Sequence, residues 1–242
     1  MFPYFDRTTT LLGLNNMRLL NEKHVLIVGL GGVGAYAAEM LCRAGIGKLT
    51  IVDFDIVQPT NMNRQLIALH STIGKPKAVL LTERLKDINP QAVVVSLQEF
   101  LKEERITELL EPIRYDFVVD AIDTIRPKVF LICQCLSKKI PIISSMGAGG
   151  KLDISQIGIT DISKTYECGL AKAVRKRLRD KGITHGLPVV FSPEKIKKES
   201  VIRLHEQTNQ MSTIGTISYL PATFGCYLAS YVIQNLISKI KE

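Results

Sequence analysis

A glycine-rich turn between an apolar run and a helical segment constrains this chain more than any other feature. The turn reads Gly29-Leu30-Gly31-Gly32-Val33-Gly34 and directly follows the run His24–Val28. Glycines at these spacings permit a tight turn and let backbone N–H groups approach a phosphate at the positive end of a helix. Asp53 ends the next apolar run, 19 residues after Gly34, where a carboxylate can accept hydrogen bonds from ribose hydroxyls. The pattern predicts an adenosine nucleotide and leaves NAD, FAD and ATP open.

Short apolar runs alternate with helical stretches through the first 150 residues. We expect strands at 24–28, 49–52, 92–95, 117–119 and 140–144, and helices at 35–43, 76–87 and 127–138. The runs are almost entirely apolar, which is typical of strands buried on both faces of a parallel sheet. This alternation predicts an α/β fold with a Rossmann-like, doubly wound, mostly parallel sheet and a C-terminal extension.

The chain of 242 residues suits one large domain. We divide it into an N-terminal arm (1–20), a nucleotide-binding core (21–150) and an extension (151–242). In the extension, the run Ile157–Thr160 is expected to lengthen the sheet, a basic helix follows, and the polar stretch 182–205 is expected to be mobile or an insertion.

The net charge of +8 is concentrated in one part of the extension. Residues 170–198 hold nine basic and two acidic side chains, so the rest of the chain is nearly neutral. Such a patch favours a polyanionic partner such as nucleic acid, and a merely solvated basic helix is the alternative. The candidate contacts are Lys172, Arg175, Lys176, Arg177 and Arg179.

The cysteines and the C-terminal segment bear on the cellular setting. Five cysteines and a first segment without a secretory pattern favour a reduced cytoplasm. Because no Cys-x-x-Cys pair is present, we expect no zinc site. Cys226 is expected in the core, and Cys168 in a flexible stretch where it could react.

Residues 214–237 carry no charge. Their glycine, proline and polar residues favour a buried helix or hairpin, at a core or dimer interface, over a membrane span.

The segments after the second and fourth strands carry groups suited to a polyphosphate. They are Asp55, Asn61, Asn63, Arg64, Gln65 and Lys77, followed by Asp120 and Asp123. A dehydrogenase needs an open slot for nicotinamide here, whereas amides and cations suit a triphosphate. The two acids stand where one or two carboxylates and phosphate oxygens typically hold Mg²⁺. We therefore favour ATP with Mg²⁺, although Asp120 would equally suit a satisfied, buried carboxylate.

Together these motifs resemble the ubiquitin-activating superfamily, including its bacterial relatives that adenylate sulfur-carrier proteins. The resemblance implies that ATP and Mg²⁺ convert a carboxylate into an acyl-adenylate. By position it places Asp53 on the ribose and Asp123 on magnesium. It implies that the triphosphate is bound by Asn61, Arg64 and Lys77. It also implies a homodimer in which Arg7 reaches the γ-phosphate bound by the partner subunit.

Further strings resemble the tRNA threonylcarbamoyladenosine dehydratases over nearly the whole chain. They are 120–128, 147–153, 161–165, 190–194 and 222–225. This resemblance implies a tRNA substrate rather than DNA, bearing a threonine whose free carboxylate is adenylated before a ring closes and AMP leaves. The basic helix would neutralise tRNA phosphates. Arg126 is our candidate for meeting the substrate carboxylate.

Two other functions remain open from the sequence. One is an adenylating enzyme for the C-terminal Gly-Gly of a small sulfur-carrier protein, and the other is an ATP-binding regulatory module without chemistry. A sulfur-transfer protein partner, and a monovalent cation near Gly147–Gly150, are also left open.

Overall fold

The fold is built on one seven-stranded sheet, seen in a computed structural model that describes residues 3–111, 114–202 and 213–238. The strands are β1 (His24–Val28), β2 (Lys48–Val52), β3 (Val93–Leu97), β4 (Phe117–Asp120), β5 (Ile142–Ser145), β6 (Gly158–Asp161) and β7 (Pro188–Phe191). Their order is β3-β2-β1-β4-β5-β7-β6, and only β6 runs antiparallel to its neighbour. The predicted doubly wound, mostly parallel sheet is confirmed. A separate antiparallel pair joins β8 (Val201–Ile202) to β9 (Thr213–Ile214).

Helices cover both faces of the sheet and bury two apolar cores. They are α1 (Asp6–Leu12), α2 (Leu14–Glu22), α3 (Gly34–Arg43), α4 (Lys77–Ile88), α5 (Glu103–Leu110), α6 (Ile125–Ser137), α7 (Gly169–Arg179) and α8 (Tyr219–Ser238). The first core lies between the sheet and α2, α3, α4 and α8. The second lies between the opposite face and α5, α6 and α7. The result is the three-layer arrangement expected of a parallel sheet.

The strand order reverses between β1 and β4, and this reversal opens a crevice at their carboxyl ends. The glycine turn fits only because two of its members lack side chains. A Cβ on Gly29 would lie 2.7 Å from the carbonyl oxygen of Ala121, which follows β4. A Cβ on Gly34 would lie 1.8 Å from the Gly29 carbonyl oxygen. The glycine turn is thus pressed against the end of β4 and opens α3 beside the crevice.

Strand β3 departs from the prediction that the strands are buried on both faces. Val93 is 54% exposed, and Val95 on the same face is also exposed. Because β3 forms the edge of the sheet, it has only β2 as a neighbour. The valines of β3 favour a strand through their β-propensity, even where their side chains are exposed.

The stretch 182–205 was expected to be mobile or an insertion, and that prediction was wrong where the stretch forms β7. Val189 pairs with Ser144 of β5 and with Thr160 of β6, so β7 lies inside the sheet. Val189 and Val190 are fully buried. Residues 203–205 lie outside the described residues. The predicted strand in 157–160 is confirmed as β6.

Most of the uncharged C-terminal segment forms one helix, α8, with a buried face, as expected, while Ile214 belongs to β9. Leu220, Phe224 and Leu228 are fully buried on α3. In the described residues, no helix is long and apolar enough to cross a membrane. The cysteine expectations were reversed: Cys226 on α8 is exposed, and Cys168 is buried.

Candidate active site

One cavity of about 340 Å³ occupies the crevice at the carboxyl ends of β1, β2 and β4. Ten of the predicted ATP-binding residues line it: Gly29, Gly31, Gly32, Asp53, Asp55, Asn61, Arg64, Gln65, Lys77 and Asp123. Of the two others, Gly34 begins α3, and the Asn63 side-chain amide donates to the Thr216 carbonyl at 2.8 Å. Residues from 29 to 123 therefore meet in one place, although they are far apart in the sequence.

The Asp53 carboxylate is hydrogen-bonded to the glycine turn. Its Oδ2 accepts from the Leu30 amide at 2.6 Å, and its Oδ1 accepts from the Asp55 amide at 2.8 Å. Burial raises the pKa of the Asp53 carboxyl, while these two amides lower it. Since each carboxylate oxygen can accept more than one hydrogen bond, Asp53 keeps acceptor capacity for ribose hydroxyls.

Lys77 is the buried cation of the cavity. It is the first residue of α4, and its Nζ lies 2.8 Å from Asp55 Oδ2. An ammonium group has three donors, so the ion pair with Asp55 fixes Lys77 and leaves donors for a phosphate. The half-exposed Asp55 thus lines the cavity and holds Lys77 in it.

Arg64 and Gln65 follow the short turn at 59–61. One Arg64 guanidinium nitrogen donates to the Thr60 carbonyl at 2.9 Å and to Asn63 Oδ1 at 2.8 Å. The other guanidinium donors remain for a ligand. The buried Gln65 Oε1 has no hydrogen-bond partner among the described residues. Because an unsatisfied buried acceptor is costly, Gln65 points to a ligand that donates a hydrogen bond.

Asp120 is the last residue of β4, and of Asp120 and Asp123 only Asp123 lines the cavity. Asp120 is fully buried, and its Oδ2 lies 2.9 Å from Lys128 Nζ and accepts from Ser144 Oγ at 2.6 Å. The prediction that both acids stand over the crevice was wrong for Asp120, because a buried lysine satisfies it. Lys128 Nζ also donates to the Ile122 carbonyl at 2.9 Å, which fixes the loop that carries Asp123.

Two aromatic residues of the cavity were missed by the sequence analysis. Phe54 and Phe100 line it with ring centroids 5.1 Å apart in an edge-to-face arrangement. Phe54 follows Asp53, and Phe100 follows β3, so both lie at the carboxyl edge. An aromatic residue two or three positions after the end of a strand was the signal that could have found them. Their half-exposed rings suit a planar base.

Arg7 and Arg126 do not line the cavity. Arg126 is 81% exposed and lies 2.8 Å from Glu103 Oε1. Arg7 is exposed on α1, and Phe5, two residues earlier, would contact a Cβ on Gly45, three residues before β2. Since Gly45 lies at the amino end of the sheet, Arg7 is remote from the cavity of its own chain.

Helix α7 carries the five predicted tRNA contacts on an amphipathic surface. Ala171, Val174 and Leu178 are fully buried against the sheet. At about 100° per residue, Lys172, Lys176 and Arg179 form an exposed stripe within roughly 60° of one another. We call these three residues the basic stripe. Arg177 is exposed on the other side of the helix, about 130° away.

Arg175 is the one half-buried member of the five. Its guanidinium donates to the Thr165 carbonyl at 2.8 Å and makes a second, short hydrogen bond to the Thr165 hydroxyl. Arg175 therefore ties α7 to the preceding turn.

The fold and the cavity define a Rossmann-type nucleotide-binding protein with a basic helix at one end of its sheet. Within that class, the family model described as the ThiF family matches residues 5–242. The chain belongs to the ThiF family.

Three known proteins are similar to this chain. The tRNA threonylcarbamoyladenosine dehydratase of Bacillus subtilis is 38% identical, covering 100% of this chain and 97% of its own length. The crystal structure of the Escherichia coli tRNA N6-threonylcarbamoyladenosine dehydratase in complex with ATP has a TM-score of 0.87 at 35% identity, covering 98% of this chain and 94% of that chain. The molybdopterin-synthase adenylyltransferase of Escherichia coli is 30% identical, covering 68% of this chain and 66% of its own length. The predicted resemblance to the dehydratases is confirmed.

Proposed function

We propose that this protein uses ATP to dehydrate, and thereby cyclise, threonylcarbamoyladenosine next to the anticodon of a tRNA. Relatives named for this activity are similar over nearly the whole chain. The observation that carries the proposal is the shared cavity. Groups suited to ATP from the first half of the chain line it together with Gly149 and Thr216 from the second half.

The proposed reaction has two balanced steps. A carboxylate oxygen of the threonyl group attacks the α-phosphorus of ATP, the bond to the β-phosphate breaks, and pyrophosphate leaves. A nitrogen or oxygen of the carbamoyl group then attacks the acyl carbon, loses its proton, and expels AMP as the ring closes. Tethered groups react with effective molarities of about 10⁵ M or more, so no protein nucleophile is needed.

Three of the five cysteines agree with this chemistry. Burial raises the pKa of the Cys42 thiol to about 11 and that of Cys135 to about 12. Burial also raises the pKa of the Cys133 thiol. These thiols stay protonated at neutral pH and are poor nucleophiles.

Each part of ATP has a candidate partner in the cavity. The glycine turn at the start of α3 receives the phosphates, and Asp53 accepts from the ribose. Asn61, Arg64 and Lys77 hold the triphosphate, and Gln65 accepts from a ligand donor. Asn63 orients Arg64, and Asp55 orients Lys77. Phe54 and Phe100 pack on the adenine.

The cavity suits a magnesium ion bound through Asp123 and phosphate oxygens better than one held entirely by protein side chains. Among the described residues there is no group of three or more His, Cys, Asp or Glu side chains that could hold a metal. Mg²⁺ commonly binds through one or two carboxylates with waters and phosphate oxygens, and it neutralises phosphate charge. Asp123 is exposed, lines the cavity and rests on a loop fixed by Lys128.

The remaining cations act on the substrate. Arg126 meets the threonyl carboxylate, since an exposed ion pair such as the one with Glu103 is weak and easily exchanged.

We also propose a cytoplasmic homodimer, in which Arg7 binds the nucleotide of the partner subunit. That arrangement agrees with its distance from the cavity of its own chain.

Pyrophosphate release from ATP and Mg²⁺ tests the proposal. It should require a tRNA that carries threonylcarbamoyladenosine, and the same tRNA without that group should give only background release. Release without RNA, but with a small protein ending in Gly-Gly, would instead support carrier-protein adenylation. ATP binding without release in any mixture would support a regulatory module.

A further inference from the structure

An exposed aromatic ring stands directly before the basic helix. Tyr166 is 60% exposed, and the residues on either side of its turn, Thr165 and Cys168, are buried. The Tyr166 ring meets the buried Phe191 ring edge to face, with centroids 5.9 Å apart. One side of Tyr166 is therefore supported by the end of β7, and the remainder of the ring faces solvent.

The backbone that presents Tyr166 is fixed from several directions. Arg175 on α7 donates to both the carbonyl and the hydroxyl of Thr165. The Thr165 hydroxyl in turn donates to the Ile162 carbonyl at 2.8 Å. Glu167 has a φ of 51°, which is rare for a residue with a side chain and persists only where its surroundings enforce it. A large apolar ring is thus held in water on a rigid turn, at little further cost in conformational entropy when it binds.

The ring also lies beside the positive surface of α7. Arg175, which holds the turn, is about 60° around the helix from Lys172 and 40° from Arg179. Lys164, two residues before Tyr166, is exposed as well. The turn is therefore attached at the flank of the basic stripe.

This combination is what an unpaired RNA base requires. Bases splayed from RNA loops are recognised by stacking on aromatic rings, while nearby cations hold the phosphates. We propose that Tyr166 is a stacking platform for an unpaired base of the bound tRNA, with the basic stripe on the adjoining backbone. This inference rests on the proposed tRNA substrate. Tyr219, another exposed tyrosine, is less suitable because its hydroxyl donates to the Leu152 carbonyl.

Stacking and charge can be separated by the salt dependence of tRNA binding. Tyr166→Ala should weaken binding by roughly 5- to 150-fold, the range for losing one base–aromatic stack. It should leave the slope of log K against log salt unchanged, because a tyrosine displaces no counterion. Tyr166→Phe should restore the affinity, whereas the matched control Lys176→Gln should flatten the slope. Unchanged affinity in Tyr166→Ala, or a flattened slope, would overturn the proposal.

A fluorescent reporter gives an independent test, because the chain contains no tryptophan. Tyr166→Trp should bind tRNA as tightly as the unaltered protein, and its emission should be quenched in step with binding. Val93→Trp is the matched control. It places an exposed ring on β3, five strand spacings from β7, or about 24 Å away. No quenching at 166, or equal quenching at 93, would contradict stacking.

Different experimental results would reject the proposed function and the stacking role of Tyr166. If the unaltered protein binds no tRNA, both the proposed function and the stacking role are rejected. If it binds and cyclises modified tRNA while Tyr166→Ala does so with unchanged affinity, only the stacking role is rejected.

Discussion

The crevice between β1 and β4 and the surface of α7 differ in how their charged groups are paired. At the crevice, the buried Lys77 is paired with the half-exposed Asp55, and at the end of β4 the fully buried Asp120 is paired with Lys128. On α7, the basic stripe is exposed, and no ion pair of its side chains is found among the described residues. The first region is organised before its ligand arrives, whereas the second is left for a partner to neutralise.

This difference predicts different responses to substitution. A buried pair fixes geometry, so removing one member should cause a large loss that salt barely changes. An exposed cation contributes through counterion release, so its removal should cause a small, graded loss that salt controls.

Lys128→Met should cause the largest loss of stability. It would leave the Asp120 carboxylate buried without a countercharge, which costs about 3–5 kcal/mol in the free energy of unfolding. Denaturant unfolding measures this directly. The double variant Asp120→Asn with Lys128→Met should recover most of the loss because no unpaired charge remains. A single variant as stable as the unaltered protein would show that the crevice is not preorganised by this pair.

Asp123→Asn should impair chemistry and leave the fold intact. Because Asp123 is exposed, the substitution should barely change the melting temperature, yet pyrophosphate release should fall by about 10²–10³-fold through loss of electrostatic stabilisation. Asp87→Asn, an exposed change on α4, is the matched control. Normal release by Asp123→Asn would remove this residue from the proposed magnesium site.

The nucleotide-binding half should also carry a pH dependence of stability. His24 in β1 is buried beside Tyr115, and its Nε2 lies 2.9 Å from the Thr50 hydroxyl. Burial lowers the pKa of His24 from 6.5 to about 4. The unfolded chain therefore takes up the proton first. Stability is fully present above pH 6.5 and is lost as pH falls toward 4, by about 2 kcal/mol between pH 7 and pH 5.

Unfolding of His24→Gln at the two pH values tests this assignment. The variant should show a smaller difference between pH 7 and pH 5 than the unaltered protein. An equal difference would place the proton uptake on another group.

Single changes on α7 should have the smallest effects. Lys176→Gln should lower tRNA affinity modestly and reduce the slope of log K against log salt by about one unit, as expected for one lost phosphate contact. Arg177→Gln sharpens the comparison, since Arg177 lies on the opposite side of the exposed surface. If both variants change the slope equally, the tRNA covers more of the helix than the stripe.

The sequence predicted most of the crevice because local rules determine it. Apolar runs, glycines and Asp53 specify strands, a turn and an acid by their order along the chain. Asp120 was misplaced because its partner Lys128 becomes buried only through helix packing. Phe54 and Phe100 were missed because their meeting depends on the order of β2 and β3.

The second half was less predictable because its strands and side chains depend on distant partners. Strand β7 has four residues and lies within a charged stretch, so its pairing with β5 was not visible locally. The basic character of α7 was evident from composition. The role of Arg175 in fixing the turn at Thr165 was not, since basic residues adjacent in sequence face different sides of a helix.

On the proposed function, the ATP crevice acts on a group delivered by RNA. Mass spectrometry of the modified nucleoside, after reaction of tRNA with ATP, Mg²⁺ and the protein, tests it most directly. We predict a nucleoside lighter by one water, with one AMP formed for each nucleoside converted. AMP formation with an unchanged nucleoside mass would contradict it.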